Sequence, residues 1–265
     1  MSNSEFRRYL RHPDDPRIKG ISDHNAYTWA EQALSTPRGK KLFSKWRELY
    51  LTSEYEGVRI EGKLETSHFN LVDEGAPIKE MVESANKLIN SLDSREKEKI
   101  QFNLESRERR AWMNPEVYMN QYGLRLEELP KSKRHSILEV IRATLSPSGF
   151  DRVRKLMKIN HFLGHLVQGQ GVMNEFSYNF LIFGSPSLTT PWGWSFYGHH
   201  LCLNVLAIGP QIVISPIFMG AEPNCIDEGE LSGTIVFENE EKIALELIQS
   251  FSEELLKEAQ LVVPE

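Results

Sequence analysis

WGWSFYGHHLCLNVLAIGPQIVISPIFMGAEP, residues 192–223, combines an aromatic run, paired histidines and two apolar segments separated by Gly209-Pro210. Aromatic and β-branched residues on both sides of a Gly-Pro break predict a hairpin. Its first strand is expected over Ser195–Ile208 and its second over Gln211–Phe218. As the centre of a core, this hairpin should bury Leu201, Leu203, Val205, Ile212 and Ile214. Side chains of a regular strand alternate faces. His199 is therefore expected beside Tyr197, Leu201, Leu203 and Val205, and His200 beside Trp192, Trp194, Phe196, Gly198, Cys202 and Asn204.

The second face reads as bulk, then a gap at Gly198, then imidazole, thiol and amide. Convergent polar groups beside apolar walls are the usual form of a small-molecule site. His200 is the expected general acid or base, with Trp192, Trp194, Phe196, Cys202 and Asn204 binding substrate. The same pattern also suits a buried polar patch with no chemistry. His199, on the apolar side, reads as a hydrogen-bonded core histidine or as support for His200. Glu222 lies in a glycine-containing turn expected near Trp192 and Trp194, where it would orient a histidine or act as base. Cys202 would be a nucleophile only with a lowered pKa.

Outward from the hairpin, Tyr178–Phe183 reads as a strand and Thr234–Phe237 as a short one. Ile78, Met81, Val82, Ala85, Leu88, Ile89 and Leu92 recur at helical spacing behind Pro77. Further helices are expected over Ser94–Arg110 and over Leu126–Leu145 beyond Pro130. The next runs from an N-cap at Ser148, with Asp151 in the capping-box position, to about Gln168. Asn239 is placed to cap the last helix. Tyr50 to Glu65 reads as short strands or a hairpin. Residues 1–45 read as an N-terminal extension, with short helices around Ala26–Leu34 and Gly39–Leu49 laying Trp29 and Trp46 on the body, and residues 46–265 as one domain. Helices segregated from locally connected strands make the class α+β: a helical layer on an antiparallel sheet built around the 195–218 hairpin. Residues 85–102 also align without gaps to residues 244–261, an echo that suits either duplication or two similar amphipathic helices.

Several segments resemble the domain-of-unknown-function family 3500: FGSPS (183–187), WGWSFYGHHLCLN (192–204) and PIFMGAEP (216–223). EYEGVRIEGK (54–63), DEGAP (73–77) and SFSEELLKEAQ (250–260) share the likeness. The resemblance implies a further C-terminal segment with His, Arg and Asp residues, which a chain ending at Glu265 would lack. It implies no particular reaction.

Composition narrows the function classes. A net charge of −6 argues against a nucleic-acid surface. RERR (107–110) and KSKR (131–134) are flanked by acids and read as solvated helix ends. Two cysteines without metal-type spacing, no secretory h-region and apolar runs far short of the roughly 20 residues of a membrane span predict a cytoplasmic protein with no membrane partner. His161 and His165 stand at i, i+4, yet on a face shared with Arg154 and Lys158 and without an intervening glutamate, so no metal is expected. Nucleotide-binding glycine motifs are absent, and no cofactor is expected. The leading expectation is an enzyme acting by general acid/base chemistry (hydrolysis, elimination or cyclisation) on a small, largely apolar molecule. A non-catalytic binding or scaffold protein is the alternative, and a metal-dependent hydrolase or oxygenase the third.

Overall fold

The computed structural model describes residues 5–12, 14–52, 59–64 and 70–260. In chain order its elements are α1 (Ala26–Ser35), α2 (Pro37–Leu51), β1 (Arg59–Ile60), β2 (Lys63–Leu64), α3 (Ile78–Asn90) and α4 (Ser94–Ile100). There follow β3 (Gln101–Phe102), β4 (Leu124–Arg125), α5 (Lys131–Thr144), α6 (Pro147–Leu166), β5 (Tyr178–Phe183) and β6 (Trp192–Gly198). The chain closes with β7 (Leu201–Ile208), β8 (Gln211–Met219), α7 (Glu238–Gln249) and α8 (Glu253–Ala259).

The fold is α+β. Strands β5, β6, β7 and β8 form an antiparallel meander. The far edge of β5 is shared by β4, antiparallel, and β3, parallel, so the sheet is antiparallel except at β3. Tyr178, Phe180 and Ile182 of β5, Trp192, Trp194 and Phe196 of β6, and Leu201, Leu203, Val205 and Ala207 of β7 point to one face. There they pack with buried residues of α3, α5 and α6. The other face carries Leu181, Phe183, Tyr197 and Cys202 under Met113, Trp112 and Tyr122 of the 102–122 segment. Because both faces are covered, β5 and β6 are buried along their whole length.

The expected first strand is two strands. The chain reverses at His199-His200, so Gly198 pairs with Leu201 and β6 runs antiparallel to β7. Gly209-Pro210 makes the next reversal, as expected. Leu201, Leu203 and Val205 are buried, but Ile212 and Ile214 are only partly so, because β8 is the edge strand.

Other boundaries also move. α4 stops at Ile100 because Gln101 and Phe102 leave to pair with Ile182 and Phe183, and Arg107–Arg110 forms only a 3₁₀ turn. Within that turn, Arg107 and Arg110 donate to the carbonyls of Leu51 and Tyr50, clamping the end of α2. Ser146, not Ser148, caps α6: its hydroxyl accepts from the Gly149 amide, with Pro147 in the first turn. α7 begins after Phe237 in a left-handed conformation, without a cap from Asn239. Thr234–Phe237 contributes only a bridge, Cys225 to Ile235. The β1–β2 hairpin falls within the predicted Tyr50–Glu65 strand region, of which residues 53–58 and 65 lie outside the described residues. In the N-terminal part Trp29 is buried with Phe43 against Tyr118, Leu163 and Val167, whereas Trp46 stays exposed.

The internal echo has a structural counterpart. Shifted by the spacing of the alignment, Ser94–Ile100 of α4 overlays Glu253–Ala259 of α8, and the caps Asp93 and Ser252 coincide. Burial does not follow: Leu88 is 0% exposed, while its counterpart Leu247 is 56% exposed. The shared letters encode a capped two-helix shape in both places, and a core contribution only in the first.

Candidate active site

The turn between β6 and β7 brings together the residues with the most chemistry. Its backbone is held from three directions. The Tyr178 hydroxyl donates to the His199 carbonyl at 3.2 Å, the His200 amide to the Asn114 carbonyl at 3.0 Å, and the Gly220 amide to the His200 carbonyl at 2.8 Å. His200 adopts φ 56°, a left-handed conformation uncommon for a residue with a Cβ. Gly198 leaves no gap, since a Cβ there would lie 2.6 Å from the Tyr178 ring.

In this turn the two imidazoles do not take opposite strand faces. They stack, with ring centres 4.0 Å apart and planes inclined by 27°. His199 is buried, and its Nδ1 lies 2.9 Å from Asn160 Oδ1 on α6. Asn160 donates its amide to the Asn174 carbonyl and the Ser177 hydroxyl. Its oxygen is therefore the acceptor toward His199, which fixes the proton of neutral His199 on Nδ1 and leaves Nε2 a lone pair. Burial, then the neighbouring His200, holds His199 well below the usual histidine range. Burial also lowers His200, opposed by the charges of Glu222 and Glu116.

Glu222 comes to the histidines rather than to Trp192 and Trp194. Because β7 starts at Leu201 and pairs there with Met219, the loop after β8 returns to the turn. His200 Nε2 and Glu222 Oε2 are 3.7 Å apart, with the side chains 31% and 52% exposed. With a neutral imidazole this is a close contact without a hydrogen bond. His200 Nδ1 is buried without a partner. One ligating atom from each of His199, His200 and Glu222 falls within 4.8 Å of the others, the one such group among the described residues.

The other sequence candidates lie elsewhere. Trp192, Trp194 and Phe196 are fully buried under the helices, on the sheet face opposite Cys202 and Asn204, because facing partners across an antiparallel pair share a face. Cys202 donates to the Met113 carbonyl at 3.1 Å, and burial pushes its thiol up to about 12, so it is no nucleophile. Asn204 accepts from Ser195 at 2.6 Å and donates to the Pro216 carbonyl at 2.8 Å, stitching the β7–β8 register shift. His161 and His165 remain exposed on α6.

Two further residues beside the histidines, Asn160 and Phe218, were not among the sequence candidates. Asn160 sits in the apolar stripe of α6, and a lone amide in such a stripe was the available signal. Phe218, 37% exposed, has its ring 6.1 Å from that of His200 and offers an apolar wall on the open side. A cavity of about 490 Å³ lies elsewhere, among Glu80, Glu83, Lys87, His135, Glu139 and Arg142 of α3 and α5. Another, touching His199, is about 10 Å³, room for about one water, beside Arg125 and Asn179. The exposed side of the histidine pair is the one bordered by Glu222 and Phe218.

Residues 74–263 match the model of a family described as protein of unknown function (DUF3500), and the chain belongs to that family. No curated protein and no solved structure matches it.

Proposed function

We propose that this member of the DUF3500 family is an enzyme whose centre is the His199-His200 turn with Glu222, carrying out proton-transfer chemistry on a small organic molecule. The observation that carries the reading is the contact of Glu222 with His200 beside a histidine whose proton position is set by Asn160. A neutral His200 is able to accept a proton, and Glu222 stabilises the imidazolium that forms. His199, held neutral with a lone pair on Nε2, acts as a hydrogen-bond acceptor. Phe218 supports a largely apolar substrate at the open side. Hydrolysis, elimination or cyclisation each needs such a base, and a biosynthetic tailoring step is one setting for it.

Untargeted mass spectrometry of a metabolite extract, incubated with wild-type protein and with His200→Gln, tests this. Compounds consumed by the wild type and spared by the variant are the expected result. Equal depletion by both removes the catalytic role of His200. Compounds that co-purify unchanged with the wild type would favour a non-catalytic binding protein instead.

A further inference from the structure

Beyond side-chain proton transfer, we propose that His199, His200 and Glu222 bind one divalent transition-metal ion, with coordination positions left open toward solvent. The inference deepens the reading above, resting on the same three side chains but placing the reactive base on a metal-bound water. Four observations support it. Each residue supplies a ligand atom within 4.8 Å of the other two. Asn160 accepts the Nδ1 proton of His199, the outer-shell arrangement that orients a ligating imidazole and leaves Nε2 free. Nδ1 of His200 is buried with no partner. Finally, His200 occupies a left-handed backbone conformation at a turn where Asn or Gly would fit more easily.

The donor set indicates the ion. Two imidazoles and one carboxylate suit zinc, iron(II) or cobalt(II), and are poor for calcium or magnesium, which take oxygen ligands. Three protein ligands with open positions are the catalytic pattern, whereas structural sites close with four. Bonds of about 2.0–2.2 Å require the three atoms to draw within about 3–3.5 Å of one another. Stacked rings direct their lone pairs along nearly parallel planes, so loading must also turn one ring out of the stack. His200 is the one free to turn, since among the described residues no hydrogen bond holds its ring, which meets only the His199 and Phe218 rings and Glu222 at 3.7 Å. Glu222 is half-exposed and able to follow. A water on such an ion loses its proton near neutral pH.

The test is titration of chelator-treated full-length protein with cobalt(II), followed by d–d absorption and by competition with a chromogenic chelator. One equivalent should bind the wild type. His200→Gln and Glu222→Gln should each weaken binding at least tenfold, with melts confirming that both variants fold. Asn160→Ala, a positioning change, should weaken binding by roughly 10–100-fold. The His161→Gln/His165→Gln double variant should bind as the wild type does. Failure of the wild type to bind at equimolar metal overturns the proposal, as does binding unaffected by both His200→Gln and Glu222→Gln. If metal-free protein still consumes its compounds, the metal's role is lost and side-chain proton transfer stands. Metal-loaded protein that consumes nothing keeps the site and loses the enzyme.

Discussion

His200 occupies a backbone conformation that costs an L residue roughly 1–2 kcal/mol, although asparagine tolerates it. His200→Asn is therefore expected to melt at or slightly above the wild-type temperature while losing whatever the imidazole does. A clear fall in melting temperature would mean that the ring is structural. His199 is the reverse case. Its buried ring holds the Asn160 oxygen, so His199→Ala leaves a cavity and an unpaired acceptor, a loss of a few kcal/mol by denaturant melts. The same burial gives a pH dependence. Below about 6.5 the unfolded chain takes up a proton that native His199 refuses, so stability falls as pH falls. The slope is at most about 1.4 kcal/mol per pH unit for one such group, and the effect is absent above the unfolded pKa. Melts of chelator-treated protein between about pH 7 and pH 5 should show it, with a shallower slope in His199→Gln. The sequence singled out His199, His200 and Glu222, but not how they meet. Neither histidine of the turn is Gly, Asn or Pro, so nothing local distinguished a reversal from a continuing strand, and the assumed alternation put the rings on opposite faces.

Among the elements, β7 lies inside the sheet and β8 at its edge. Leu203→Ala should cost about 2–5 kcal/mol, as full burial implies. Ile217→Ala on β8, half exposed, should cost within about 0.5 kcal/mol. Similar losses at both sites by urea melts would mean that β8 is covered. Helices with strong apolar periodicity were legible, α3 behind Pro77 most clearly, and β5 matched its predicted bounds. What escaped was pairing that depends on distant partners. Gln101-Phe102 continues a helical pattern and leaves it only because the edge of β5 is free to accept it. The helix pair α7–α8 shows the converse: the pattern of α3–α4 predicts its shape but not its exposure, which tertiary neighbours decide.

At the scale of the molecule, one turn ties three distant parts of the chain: Asn160 of α6, the β6–β7 hairpin, and the loop carrying Gly220 and Glu222. The α+β class followed from the order of the elements. The expected pocket did not, because the extra reversal places Cys202 and Asn204 on the sheet face opposite Trp192, Trp194 and Phe196. No described helix is long and apolar enough to cross a membrane. The arrangement depends on His199 being neutral, protonated on Nδ1 and bound to Asn160. Long-range ¹H–¹⁵N correlation spectra of the histidine rings in metal-free protein measure this directly. His199 is expected to stay in the Nδ1–H tautomer well below pH 6.5, with proton contacts to the His200 ring. An Nε2–H tautomer, or a His199 that titrates near 6.5 without contact to His200, would contradict it.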